Sequence, residues 1–164
     1  MDWIVFAAQW THVLLGILWF GTVLSLDVIV IPAIGRLPVV AQRDVSSVIG
    51  ARATPLVRVV VPLVIVLGVV RGTVLGPIRS PEALVTPYGL TWLLALAATV
   101  ATYLWGLFVL VPAIRAMDEA PVGPGGEATP SLASATDRVK RLVMVELLGF
   151  VVIFTCMILM RFGV

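Results

Sequence analysis

"VIVIPAIGRL" (Val28–Leu37) recurs as "LFVLVPAIRAM" (Leu107–Met117), with Pro32 and Pro112 eighty positions apart. Each copy closes a long apolar run. Each is followed by a second matching stretch, "ATPLVRVV" (Ala53–Val60) and "ATDRVKRLV" (Ala135–Val143), at an offset of about 82. Two helix pairs in the same chain order are expected to be related by an axis along the membrane normal. The repeat therefore predicts an all-α integral membrane four-helix bundle built from two tandem helical hairpins, a single transmembrane domain over residues 1–164. Proline lacks the backbone N–H and crowds the preceding turn, so Pro32 and Pro112 are expected to end or kink their helices.

Composition agrees with a membrane setting. The chain is 60% hydrophobic and 12% charged, with a mean hydropathy of +1.13, whereas about a quarter of the residues of a soluble domain are charged. Crossing about 30 Å of hydrocarbon takes about 20 helical residues, and the pattern places spans at about 3–34, 54–77, 84–114 and 139–162. The second is the least regular. Arg58 and Arg71 bracket only Val59–Val70, interrupted by Pro62. Those residues cover roughly 18 Å as a helix, so a full crossing draws in the arginines as snorkelling or paired groups, or the segment is re-entrant. The first apolar run begins after Asp2, without a basic lead or a small-residue cleavage site, which argues against a removable signal peptide.

Charge sets the expected orientation. Arg36, Arg43, Arg52 and Arg58 lie in or beside the first connection, and Arg115, Arg138, Lys140 and Arg141 in or beside the third. That is eight of the eleven basic residues on one side. The positive-inside rule then puts both termini outside and these two connections in the cytoplasm. The third, over 116–137, is rich in Gly, Pro, Ala and Ser and is expected to be flexible. The formal charge is only +2, so the basic pI reads as loop arginines that follow membrane topology, with no sign of nucleic-acid binding. The single cysteine, Cys156, excludes an internal disulfide and any multi-cysteine metal centre within one chain.

His12 is the only histidine. On a helix, Gly16 lies about 40° and Trp19 about 20° away from it, so the three form one stripe. An imidazole, a small residue one turn on and an indole suit the axial ligation of a b-type haem. Arg71, with Arg79 or Arg161, is then a candidate partner for the propionates. The rival is an interfacial histidine beside Trp3 and Trp10 in the aromatic belt. The repeat equivalent of His12 is Trp92, so one chain offers no second histidine. A haem would be five-coordinate, take another sixth ligand such as Met160, or bridge two protomers.

Two further groups stand out. Cys156 and Met160 share a helix face and, with His12, suit Cu(I); packing is the alternative for both. Asp27, Arg58 and Glu146 form a candidate intramembrane charge cluster near the other end, read either as a proton route or inner substrate site, or as an Asp27–Arg58 ion pair joining helices.

The spacing H-x6-W-x-G of His12, Trp19 and Gly21 resembles the first helix of a group of small bacterial membrane proteins. That group includes the copper-resistance protein D membrane domain and the four-helix haem-binding protoporphyrinogen oxidase. "LDVIVIPAI", with Asp27 and Pro32, and "LFVLVPAIRAM" resemble four-helix relatives of that domain. The resemblance covers most of the first and third spans. Its oxidase side implies His12 as an axial haem ligand, although "TVLSLDVIV" (Thr22–Val30) stands where that family has basic and tyrosine residues. Its copper side implies passage of copper across the bacterial inner membrane.

The expectations are a haem protein for electron transfer or haem handling; a non-enzymatic accessory subunit of a respiratory or photosynthetic complex; or a Cu(I) transport or resistance protein. In each case the surroundings are the lipid bilayer and the assembly a homo-oligomer or larger membrane complex. Gly16, Gly21 and Gly106 are small enough to permit the close helix packing that an accessory subunit uses.

Overall fold

The computed structural model describes residues 2–163. Four helices are long and apolar enough to cross a membrane: α1 (Trp3–Ile34), α2 (Val39–Gly72), α3 (Pro87–Asp118) and α4 (Pro130–Arg161). Among the described residues there is no strand, only an isolated bridge between Val122 and Ala128. A short 3₁₀ turn, Pro81–Val85, links α2 to α3.

The helix starts follow local chemistry. The Asp2 carboxylate accepts from the N–H groups of Ile4 and Val5 at 3.0 and 3.2 Å. Thr86 and Thr129 cap α3 and α4 through their hydroxyls, and each is followed by proline at the first helical position. A threonine oxygen satisfies a free N–H there, while proline needs no acceptor of its own. The same Thr-Pro pair at Thr54–Pro55 starts nothing: α2 begins at Val39, after an extended Pro38, and runs through Pro55 and Pro62.

The helices are longer than the expected spans: α2 runs Val39–Gly72 where the pattern places a span at 54–77, and α4 begins at Pro130, ahead of the expected span start near residue 139. The connection read as flexible over 116–137 shortens to 119–129. The reason is physical. Hydropathy marks the residues that can sit in hydrocarbon, whereas the backbone hydrogen-bond ladder continues through polar turns outside it.

Neither Pro32 nor Pro112 ends its helix. Each is preceded by a π turn, Leu26–Val30 and Gly106–Leu110, again eighty positions apart. The N–H of Ile31 reaches back to the Leu26 carbonyl, and that of Val111 to the Gly106 carbonyl. Widening the helix by one residue accommodates a proline that has no N–H to donate and a ring that crowds the preceding turn. The repeat seen in residue identities is thus repeated in backbone geometry.

α1 lies along α2, and α3 along α4. α1 meets α4 through aromatic rings: Trp19 packs on Phe150 with centroids 4.8 Å apart, and Phe20 packs on Phe154 at 4.6 Å. Val60, Val61 and Val64 of α2 complete this core, and Val61 is fully buried. A second cluster, Leu110, Ala113 and Val139, joins α3 to α4 near the first and third connections; that end is called the loop end below. Large apolar side chains such as Ile17, Phe108 and Leu148 face outward, as expected of a chain solvated by lipid.

Candidate functional site

His12 is brought to α2 near the end that carries the termini. Its Nδ1 lies 3.1 Å from the carbonyl oxygen of Val64, and the residue is 8% exposed. A carbonyl can only accept, so Nδ1 carries the proton and the lone pair resides on Nε2. That nitrogen makes no hydrogen bond to the described residues. Gly68 provides the room. A Cβ there would stand 3.2 Å from His12 Cε1, closer than a side chain and a ring normally pack.

Trp92, the repeat equivalent of His12, converges on the same helix. Its Nε1 donates to the Gly68 carbonyl at 3.4 Å, and a Cβ on Gly72 would fall within its indole. Two glycines one turn apart on α2 thus seat an imidazole from α1 and an indole from α3.

The stripe His12–Gly16–Trp19 does not form one wall. Gly16 has no neighbouring atom within 4 Å of a Cβ position, and Trp19, 4% exposed, packs on Phe150 of α4. Seven residues turn the helix back to the same direction but also advance about 10.5 Å along it. A different helix fills that face at the Trp19 level.

Arg71 is half-buried at the same end as His12. Its Nη1 donates to the Leu75 carbonyl at 3.1 Å, and its Nε is buried without a partner. With Asp2, Val5, Phe6 and Gln9 it lines an open groove of about 260 Å³. Arg79 is turned to the Gly76 carbonyl, at 3.2 Å, and Arg161 is exposed at the end of α4. Of the three arginines considered for propionates, Arg71 is the one with an unused buried donor.

For an imidazole-ligated haem the donor set fits. A metal-binding histidine commonly donates its other ring N–H to a backbone carbonyl, as Nδ1 does to Val64, and Arg71 has an orphaned donor for an anionic group. The interior between α1 and α2 at Gly68 is closed to a porphyrin plane by direct packing.

Cys156 is buried, 2% exposed, and Met160 is half-buried. Among the described residues no group of three or more His, Cys, Asp or Glu side chains stands close enough to hold a metal ion.

At the loop end, Asp27 lies in the first π turn with its Oδ2 buried and unpartnered. Glu146 is 7% exposed, and a Cβ on Gly106 would stand 3.3 Å from its Oε1. The expected Asp27–Arg58 ion pair is absent: Arg58 is exposed, and the ion pair among the described residues is Lys140–Asp137 at 3.5 Å. α2 carries Arg58 to the surface, which avoids the cost of burying the guanidinium beside a carboxylate.

Sequence reasoning missed Gly68 and Gly72. Their signal, a glycine pair four apart in an otherwise valine- and leucine-rich helix, is visible in "VLGVVRG" (Val66–Gly72), but what fills the two notches is not. No protein-family model, curated protein or solved structure matches the chain.

Proposed function

We propose that this chain is a multi-pass protein of the bacterial inner membrane that holds a b-type haem through His12 Nε2 and serves electron transfer or haem handling. The observation that carries the reading is the buried Nδ1–H bond to the Val64 carbonyl, which leaves Nε2 unprotonated and free. Arg71 supplies a cationic partner for propionates through its unpartnered Nε. Bound haem would supply one-electron chemistry; the protein would supply ligation, orientation and a low-dielectric wall. The groove of about 260 Å³, which Arg71 lines and His12 does not, falls below the roughly 300–1,000 Å³ of ordinary small-molecule sites. Lipid, a second copy or a partner subunit therefore completes the cover, in keeping with an oligomer or larger complex. Both termini and His12 lie on the outer side in this reading, with two tandem hairpins forming one four-helix bundle.

The test is an absorbance spectrum of the protein purified from cells supplied with haem. A Soret band lost in His12→Ala is expected. Absence of the band, or a band unchanged by that substitution, overturns the reading.

A non-enzymatic accessory subunit is the second reading, favoured by the packing of the His12 ring directly onto Gly68. There the imidazole serves as a hydrogen-bonded spacer between α1 and α2. Co-purification with a core complex in mild detergent supports it, and a stable isolated monomer counts against it.

A further inference from the structure

The two π turns leave a backbone acceptor unused in each half of the protein. In α1 the Ile31 N–H is given to the Leu26 carbonyl, and Pro32 has no N–H, so the Asp27 carbonyl receives no bond from its own helix. In α3 the Val111 N–H is given to the Gly106 carbonyl, and Pro112 leaves the Leu107 carbonyl in the same condition. Within hydrocarbon an unsatisfied backbone oxygen is costly, and non-helical backbone is retained where it is buried in protein or lines a site.

Side-chain oxygens gather at the same level. Asp27 Oδ2 is sealed from solvent and has no hydrogen-bond partner. Glu146 Oε1 lies against Gly106, the first residue of the second π turn. α1 and α4 run antiparallel past the Trp19–Phe150 and Phe20–Phe154 contacts, and Asp27 and Glu146 each lie about one to two turns beyond those contacts toward the loop end. Thr102, one turn before Gly106 and 5% exposed, adds an independent sign. Thr22, Thr91, Thr99, Thr136 and Thr155 each return their hydroxyl to the carbonyl four residues back. The Thr102 hydroxyl makes no hydrogen bond to the described residues; it lies against Gly149, on the helix that carries Glu146.

Among the described residues no cation is paired with Asp27 or Glu146: Arg58 on α2, Arg115 at the loop end of α3, and Lys140 and Arg141 on α4 are exposed, and the half-buried Arg43 of α2 donates to the Ala120 carbonyl. Two carboxylates in a low-dielectric zone repel each other and lose hydration unless a positive charge joins them. The ligand types are all hard oxygen: carboxylate, hydroxyl and carbonyl. That set suits a small hard cation and not a soft metal.

From this juxtaposition we infer that Asp27, Glu146 and Thr102, with the carbonyls freed by the two π turns, form an intramembrane binding site for one small hard cation, sodium. The site lies at the opposite end from His12 and is independent of any haem.

Carbodiimide modification of the purified full-length protein in detergent, read by mass spectrometry, tests it. The reagent modifies a protonated carboxyl in an apolar setting. Labelling at Asp27 or Glu146 is expected. Sodium chloride at ten times its dissociation constant is expected to slow labelling about tenfold by mass action, while choline chloride does not. Asp27→Asn keeps Glu146 available as a label and should abolish sodium protection. Thr102→Val, a milder change, should weaken sodium protection while leaving both carboxyls in place. Absence of labelling at both residues across the pH range, or labelling that sodium does not slow, overturns the inference.

Discussion

The indole N–H of Trp92 donates to the carbonyl of Gly68 at 3.4 Å, on the same residue whose lack of a side chain makes room for His12. Residues equivalent in the repeat therefore meet on one helix, α2. The two halves share a backbone design but not a set of contacts.

Gly72→Ala should be more damaging than Gly68→Ala. The new Cβ at residue 72 falls within the Trp92 ring, whereas at residue 68 it stands 3.2 Å from one carbon of His12. Overpacking costs about 1–3 kcal/mol, and Gly72→Ala belongs at the upper end. Thermal unfolding in detergent, with Gly126→Ala avoided as a control because of its positive φ and Gly16→Ala used instead, measures the order.

His12→Phe should retain most of the packing but lose the bond to the Val64 carbonyl. A loss of about 0.5–1.5 kcal/mol is expected, smaller than for His12→Ala, which also opens a cavity. If haem is bound, both variants lose the Soret band although only one is strongly destabilised. Paired spectra and melting curves separate ligation from structure.

Each π turn holds one residue more than an α-helical turn would need. Deleting Val28 together with Pro32→Ala should restore a regular α-helix with both flanking faces in register, and the protein should still fold. Deleting Ile17 instead turns everything after it by about 100°, moving Trp19 off Phe150, and should abolish the folded state. Yield of monodisperse protein on size exclusion distinguishes the two deletions.

Phe150→Ala should destabilise far more than Phe108→Ala. Phe150 is 2% exposed and touches both Trp19 and Phe20, while Phe108 is 72% exposed. Removing a buried aromatic side chain costs about 3–5 kcal/mol in water-soluble cores. Between membrane helices packing persists without the same solvent drive, so the order is the firmer expectation. Thermal unfolding in one detergent tests it.

Cys156 should resist maleimide in the folded protein and react once the helices are dissociated, since it is 2% exposed within α4. Rapid labelling of folded protein would show that α4 does not pack as described.

Much of the architecture was legible from residues alone. Long apolar runs named four helices because a backbone in hydrocarbon must satisfy itself, and the "PAI" repeat revealed two related halves. The helix ends were less legible, because polar turns continue the hydrogen-bond ladder past the apolar run, as Val39–Arg52 does in α2. For Pro32 and Pro112 the sequence shows the missing N–H but not the extra residue in the preceding π turn with which each helix continues. At the candidate site, His12, Arg71, Asp27 and Glu146 were visible as rare polar groups in an apolar chain. Gly68 and Gly72 were not, because a glycine's role depends on what occupies the space it leaves.

By itself, then, the sequence determined the class, the number of long helices and the list of costly polar groups, through local rules of length, hydropathy and backbone bonding. The tertiary structure decided which of those groups meet. It placed His12 on Val64 and Gly68, sent Trp19 to Phe150, left Arg58 at the surface and brought Glu146 to the second π turn. Helix periodicity specifies a direction on one cylinder; only the crossing of four cylinders specifies what lies in that direction.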